Sequence, residues 1–500
     1  MSLRKSVARG AAWMVLYRLF DRSLGLVSTL VLARLLVPAD FGLVAMATSI
    51  IAILELFNAF GLDIALIQRA GATTDHYNTA WTLNAAMGLV IAMLLLISAW
   101  PMSLFYHDHR LVPLVCVLAL GTAIQGFENI GVVAFRKELT FDREFRYLAA
   151  KRILTFCVTI TLAVTLRSYW ALALGITFGR MAGVTISYLV HPYRPKLSLA
   201  ALPDLMHFSK WVFLQNIFFF LKERSSDFIV GRIAGPGAVG VLSVSTEIAS
   251  MPGTEIVAPI NRAAYPAYSK LSQDVPALGH QYLTITSLVA LFVTPAVAGI
   301  GALGPVAVGL LLGPKWAEAT TLISLVAFVG IANVLLNTSH PAVLALGKPV
   351  VFARVTALQV SVQIPALIIL TKQSGAHGAA LGFVCASVGV LPISMYFILK
   401  ALQIRYRDYL KFVWRPLTAA AAMYFVTRYS IPPVDVHTLS TGSALLMLAK
   451  YAPLGALVYI TVVSALWLIM GRPEGPEQTV VHEVGARWGR LQAARAGAGC

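Results

Sequence analysis

Apolar stretches of roughly 18 to 25 residues follow one another along almost the whole chain, separated by short polar connections. A run of that length matches the apolar thickness of a bilayer when it is coiled as a helix. The pattern predicts an all-α polytopic membrane protein with about 14 transmembrane helices. The first eight lie at roughly 11–34, 41–63, 80–101, 111–135, 148–166, 169–190, 208–231 and 237–261. Six more lie at roughly 281–304, 318–338, 352–371, 377–399, 413–430 and 447–470. No connection between spans exceeds about 20 residues, so a soluble catalytic domain has no room.

Shifted by 198 positions, the chain matches itself without a gap. Trp13 meets Trp211, Ser28 meets Ser226, Arg34 meets Arg232, Pro38 meets Pro236, Gly42 meets Gly240 and Thr48 meets Thr246. These six identities alone, within the 36 positions from 13 to 48, exceed the roughly two or three that biased composition would give. The repeat divides the chain into an N-lobe at 1–200 with helices 1–6, a C-lobe at 201–400 with helices 7–12, a helix pair at 401–472 and a cytoplasmic tail at 473–500. An even number of spans per lobe makes the repeat parallel. The segments Arg34 to Gly42 and Arg232 to Gly240 each set a Pro four residues before a Gly and predict tight outer turns. The hydrophilic tail after Arg472 is expected to be mobile.

Composition agrees: 58% hydrophobic against 12% charged residues lies far outside soluble usage. The net charge of +17 could suggest nucleic acid, so its placement decides. With a cytoplasmic N-terminus, 26 Lys and Arg fall on inner connections, tails and one helix entrance (Lys151, Arg152), and eight fall outside. The positive-inside rule then accounts for most of the charge, places both termini in the cytoplasm and leaves no nucleic-acid role. Four cysteines, three of them within apolar segments, form no disulfide framework. The basic start resembles a signal peptide, but Arg18, Asp21 and Arg22 interrupt its apolar core, and a retained first helix is expected. The aromatic and basic stretches Lys137 to Tyr147 and Gln403 to Trp414 are expected to anchor the headgroup interface.

Five basic residues, Arg18, Arg22, Arg180, Lys222 and Arg224, remain inside spans. Arg18, Asp21 and Arg22 stand at i, i+3 and i+4 and share one helical face. At about 2.5 to 3.5 kcal/mol each at mid-helix, they would oppose insertion if they faced lipid, so they face protein or water. An intrahelical salt bridge with snorkelling and the cationic wall of a cavity both satisfy that requirement. Lys222, Glu223, Arg224 and Asp227 sit too deep in the seventh span to snorkel, and Asp227 can pair with Arg224. Glu247, Glu255 and Arg262 add charge on or near the eighth span. Glu55 with Asn58, and Gln125 with Glu128 and Asn129, extend a polar lining, for which helix-to-helix hydrogen bonds are the alternative role. Spans nine to twelve are almost free of ionisable groups.

A mixed cluster of Arg and Lys with some acids suits an amphiphile that carries phosphate, because guanidinium meets phosphate oxygens as a planar fork. Gly347 and Lys348 lack the remaining residues of a phosphate-binding loop, so no ATPase is expected. The run His107 to Arg110 has poor geometry for a metal, and no catalytic motif is present. No metal and no cofactor are expected.

The opening SVARGAAWMVLYRLFDR, the stretch LARLLVPADFGLVAMATSIIAILELFNAFGLDIALIQR and the later LLGPKWAEA (Leu311 to Ala319) resemble the polysaccharide transporter family of Wzx-type oligosaccharide flippases. That family belongs to a superfamily with multidrug exporters and the peptidoglycan lipid flippase. The resemblance implies two six-helix lobes around a central cavity walled by spans one, two, seven and eight, plus a C-terminal helix pair. It further implies a transporter, not an enzyme, of the bacterial inner membrane. The cargo would be undecaprenyl-pyrophosphate-linked oligosaccharide, translocated by alternating access for exopolysaccharide or O-antigen synthesis. Arg18, Arg22 and Arg224, with Lys222 and Arg262, are the implied pyrophosphate ligands, and Asp21, Glu55, Glu128, Glu223, Asp227, Glu247 and Glu255 the cavity or coupling residues. Glu223 and Asp227 depart from a purely basic site, which shifts the expected phosphate contact toward the first span. Membrane lipid and, downstream, a polysaccharide polymerase and export proteins would be partners. An ion-coupled multidrug exporter, the peptidoglycan lipid flippase and a membrane polysaccharide polymerase or ligase stand as alternatives.

Overall fold

The structure is a computed structural model. It describes residues 3–56, 62, 66–67, 71–138, 140–202, 210–473 and 475–478, with side chains from residue 13 onward and, in the helix that begins at Lys210, from residue 217. Among the described residues all regular structure is helical. The chain forms two compact units, Met1–Gly240 and Val241–Cys500.

The long helices, numbered here without the short turns, begin with α1 (Leu3–Leu35), α2 (Pro38–Leu56), α3 (Thr74–Tyr106), α4 (Leu111–Gly126), α5 (Phe141–Leu166) and α6 (Trp170–Val190). α7 (Lys210–Pro252), α8 (Ala258–Lys270), α9 (Val275–Ala302), α10 (Ala319–Asn337), α11 (Val350–Val384), α12 (Leu391–Ala401), α13 (Tyr406–Ser430) and α14 (Thr441–Ile469) follow. Among the described residues nine helical segments have the length and apolar composition of a membrane crossing, and α4 with its bent continuation to Lys137 adds a tenth. Two of the nine run for 54 and 52 residues, more than one bilayer thickness, and are broken at Gly235 and at Ser374–Gly375. The protein is therefore a multi-pass membrane protein. α1 and α13, both counted among the expected 14 spans, carry charges within the helix and are not among those nine.

The two expected turns of the repeat differ. In the first copy the chain opens into a two-residue break, and Pro38 starts α2 with a preset φ. Asp40 accepts a hydrogen bond from the Val37 amide at 3.1 Å and another from the Tyr169 amide at 3.0 Å, which ties this turn to the α5–α6 turn. In the second copy two helical segments of α7 meet at a kink, where Gly235 alone leaves helical geometry at φ 79°. That left-handed value is open to glycine and strained for most other residues, so a single residue does what two do in the first copy.

The repeated residues also meet one another. A Cβ added to Gly42 would fall 1.7 Å from the Pro236 carbonyl oxygen, and one added to Gly240 would fall 1.8 Å from that of Pro38. The contact is reciprocal, backbone against backbone, and needs a residue without a side chain on each helix. Around it, Gly231 packs against Tyr106 and Met46, Tyr106 stacks on Phe228 and Arg232 lies over the Phe105 ring at 5.7 Å. Trp211, the partner of Trp13 in the repeat, has its side chain outside the described residues.

In the second unit α9 packs on α10, α13 and α14, and α10 packs on α11. The Tyr459 hydroxyl donates to the Leu291 carbonyl at 2.7 Å and fastens α14 to α9. The tail is not wholly mobile as expected. Arg415 in α13, 2% exposed, donates from two nitrogens to both carboxylate oxygens of Glu477 at 2.9 and 2.8 Å. A buried guanidinium requires such a partner, and the chain just beyond α14 supplies it. Tail residues beyond 478 lie outside the described residues.

Removing one member of a buried pair leaves an uncompensated charge, so Glu477→Ala should lower unfolding stability by about 3 to 5 kcal/mol. The double variant Arg415→Met/Glu477→Leu should recover most of that loss. Denaturation of the purified protein in detergent measures both, and a silent Glu477→Ala would contradict the docked tail.

Candidate functional site

Charge inside the first unit is paired between helices, and the pairing selects which helices must touch. Asp21 of α1 lies 2.9 Å from Nε of Arg152 in α5. Glu128, just past α4, lies 3.6 Å from Nζ of Lys151 and accepts a hydrogen bond from the Tyr147 hydroxyl, both on α5. Glu55 at the end of α2 lies 3.4 Å from Arg180 at the midpoint of α6, and Arg180 also bonds the Thr122 hydroxyl of α4. Two ion pairs join α1 and the end of α4 to α5, a third joins α2 to α6, and the Arg180–Thr122 hydrogen bond links α6 to α4.

The local sequence makes room for these cations. Gly175, Gly179 and Gly183 form a small-residue ladder at i, i+4 and i+8 on α6, facing Thr159, Thr155 and Lys151 on α5. A Cβ at Gly183 would touch the Lys151 ammonium end at 2.7 Å, and one at Gly179 the Thr155 hydroxyl at 2.7 Å. On α1, a Cβ at Gly25 would lie 2.8 Å from the Arg152 guanidinium. Trp13 and Tyr17 of α1 pack around the Phe145 ring, with centroids at 5.0 and 6.3 Å, and hold the α1 face that carries Arg18, Asp21 and Arg22 against α5.

Between α1, α5 and α6 lies a cavity of about 330 Å³, lined by Tyr17, Asp21, Lys151, Arg152, Thr155 and Arg180 with flanking apolar groups. The sequence reading assigned Lys151 and Arg152 to a helix entrance and Arg180 to an unplaced span interior, and put none of them at a site. Two signals could have found them: the glycine ladder, and the spacing of Lys151, Thr155 and Thr159 on the opposing face.

The remaining expected site residues are distributed as follows. Arg18 and Arg22 are half-buried on α1. On α7, Lys222 and Arg224 are half-buried, Glu223 is exposed, and Asp227 is 8% exposed with Arg224 at 3.3 Å. In the second unit Glu247 is half-buried on α7, Glu255 is half-buried in the π-turn Gly253–Val257 with the Thr254 hydroxyl at 3.1 Å, and Arg262 is exposed on α8. Asn58 lies outside the described residues. Asn129, an expected lining residue, is fully buried and holds the Tyr193 carbonyl and the Gly131 amide at 2.8 and 2.9 Å, a structural role. In the expected interface stretch, Glu144 is buried against Arg136 and the ring of Phe145 faces α1, so part of that stretch is core.

Comparison with known proteins follows from this geometry. The sequence profile of the family described as Polysaccharide biosynthesis protein matches residues 31–321. The Escherichia coli (strain K12) protein named Lipopolysaccharide biosynthesis protein WzxC is 25% identical over 83% of this chain and 86% of its own length. The Rhizobium meliloti (strain 1021) protein named Succinoglycan biosynthesis transport protein ExoT is 21% identical over 92% of this chain and 93% of its own. Among solved structures, the lipid II flippase MurJ in an inward closed conformation superposes with a TM-score of 0.70 at 15% identity, covering 91% of this chain and 98% of that one. An inward-facing multidrug transporter of the MATE family superposes at 0.54 over 77% and 95%. The chain has the fold these transporters share.

Reversal of either charge in the Asp21–Arg152 pair should destabilise the protein, and the swap Asp21→Arg/Arg152→Asp should restore about 0.5 to 1 kcal/mol of coupling, since both groups are partly exposed. A double-mutant cycle on detergent unfolding measures it. Strictly additive losses would contradict a direct pair.

Proposed function

We propose that this chain, which belongs to the polysaccharide biosynthesis protein family, is a flippase that carries lipid-linked oligosaccharide units across the bacterial inner membrane for exopolysaccharide or O-antigen assembly. It acts as a transporter and not as an enzyme. The cargo is an undecaprenyl pyrophosphate bearing a short sugar chain. The observation that carries this reading is the sign of the charge carried on or beside the spans of the first unit: seven bases (Arg18, Arg22, Lys151, Arg152, Arg180, Lys222, Arg224) against five acids (Asp21, Glu55, Glu128, Glu223, Asp227). Intramembrane cations are costly to insert, and a basic excess is suited to an anionic headgroup where a cationic drug would want acids.

The steps follow from these groups. Arg18 and Arg22 on α1, with Arg224, Lys222 and Arg262 contributing, hold the pyrophosphate. The acids of the lining, with Glu247 and Glu255, keep the bases in place when no cargo is bound. The polyprenyl tail stays in lipid while the lobes alternate access, and the sugar passes on to a polymerase and export proteins. Both termini are cytoplasmic, on the positive-inside argument.

The double variant Arg18→Ala/Arg22→Ala should reach the membrane in normal amount and abolish polysaccharide export, with lipid-linked oligosaccharide accumulating in the cell. Extraction and mass analysis of that lipid pool tests the reading, and normal surface polysaccharide with an unchanged pool would sink it.

A further inference from the structure

We propose that the cavity between α1, α5 and α6 is a second binding site for a phosphate group, with Lys151, Arg152 and Arg180 as its cationic ligands. It rests on the reading above that the cargo carries pyrophosphate, and it adds a station inside the first unit to the arginines of α1.

Several observations converge on this site. Three cations and one carboxylate line the cavity, together with the Thr155 hydroxyl and the Tyr17 ring, and its volume of about 330 Å³ exceeds what a phosphate group fills. Each cation has one carboxylate neighbour, Lys151 with Glu128 at 3.6 Å, Arg180 with Glu55 at 3.4 Å and Arg152 with Asp21 at 2.9 Å, and Arg180 also donates to the Thr122 hydroxyl. The three cations outnumber the one carboxylate, Asp21, that lines the cavity, so a phosphate oxygen placed there would meet net positive charge.

The space is also built for cations. Gly25 and Gly183 leave open the volume that the Arg152 guanidinium and the Lys151 ammonium occupy, and Gly179 does the same for Thr155. Lys151 and Arg180 each sit ten residues inside their helices, about 15 Å along the axis. Ordinary interface anchors lie at helix ends, where they can snorkel.

Titration calorimetry of the full-length protein in detergent with inorganic pyrophosphate tests the site. Saturable binding is expected, weakened at least tenfold in Lys151→Gln/Arg180→Gln and in Thr155→Asp. The second variant keeps all three ion pairs and sets a negative charge in the cavity, so it reads the site even if the first fails to fold. Absence of saturable binding, or undiminished affinity in Thr155→Asp, would overturn the proposal. Nanodiscs containing polyprenyl phosphate or phosphatidylglycerol then compete for the bound pyrophosphate. Displacement by the first alone assigns the site to cargo, and equal displacement by the second assigns it to an ordinary headgroup. Normal export by Arg18→Ala/Arg22→Ala would remove the flippase reading without touching this titration, so the two failures are distinguishable.

Discussion

A charge held inside the bilayer must find a partner, and the organisation of the first unit follows from the pairs whose two members lie on different helices. Asp21 needs α5, Glu128 needs α5 and Glu55 needs α6. Satisfying these pairs, with the Arg180–Thr122 hydrogen bond between α6 and α4, draws α1, α2, α4, α5 and α6 into one cluster, in a solvent where apolar packing alone gives helices little reason to choose their neighbours. The glycine ladder on α6 and Gly25 on α1 are the steric complement: close approach is possible only where side chains are absent. Electrostatics and small residues thus specify the same contacts.

The same logic acts at the corner of the repeat. Gly42 and Gly240, equivalent in the duplicated sequence, lie against each other's helix backbone, so the duplication supplied both sides of one contact. Its copies then diverged. The first turns over two residues capped by Asp40, and the second turns at a kink on Gly235. Equivalent sequence positions serve unlike connections because a single left-handed glycine can replace a turn.

The all-helical, multi-pass fold class was legible in the sequence, because hydropathy over 18 or more residues is a long and redundant signal. The site was legible only as a set of misplaced charges. Sequence spacing reveals partners on one helix, as with Arg224 and Asp227, and is blind to a partner such as Arg152, 131 positions from Asp21. Lys151 and Arg152 resembled ordinary headgroup anchors because the start of α5 could not be fixed from composition: the helix begins at Phe141, ten residues earlier. The docked Glu477 was hidden for a related reason, since a polar tail gives no periodic signal and its partner Arg415 lies in a helix whose charges resembled interface.

The central claim is that this protein moves a phosphate-bearing lipid across a bilayer, with the arginines of α1 in contact with the headgroup. Reconstitution into vesicles with a fluorescent polyprenyl-pyrophosphate glycolipid, followed by addition of a membrane-impermeant quencher, measures that movement directly. Vesicles with the wild-type protein should lose inner-leaflet fluorescence as lipid crosses, and vesicles with Arg18→Ala/Arg22→Ala should lose only the outer-leaflet fraction. Equal quenching for the two proteins, or wild-type vesicles that behave like empty ones, would contradict the account.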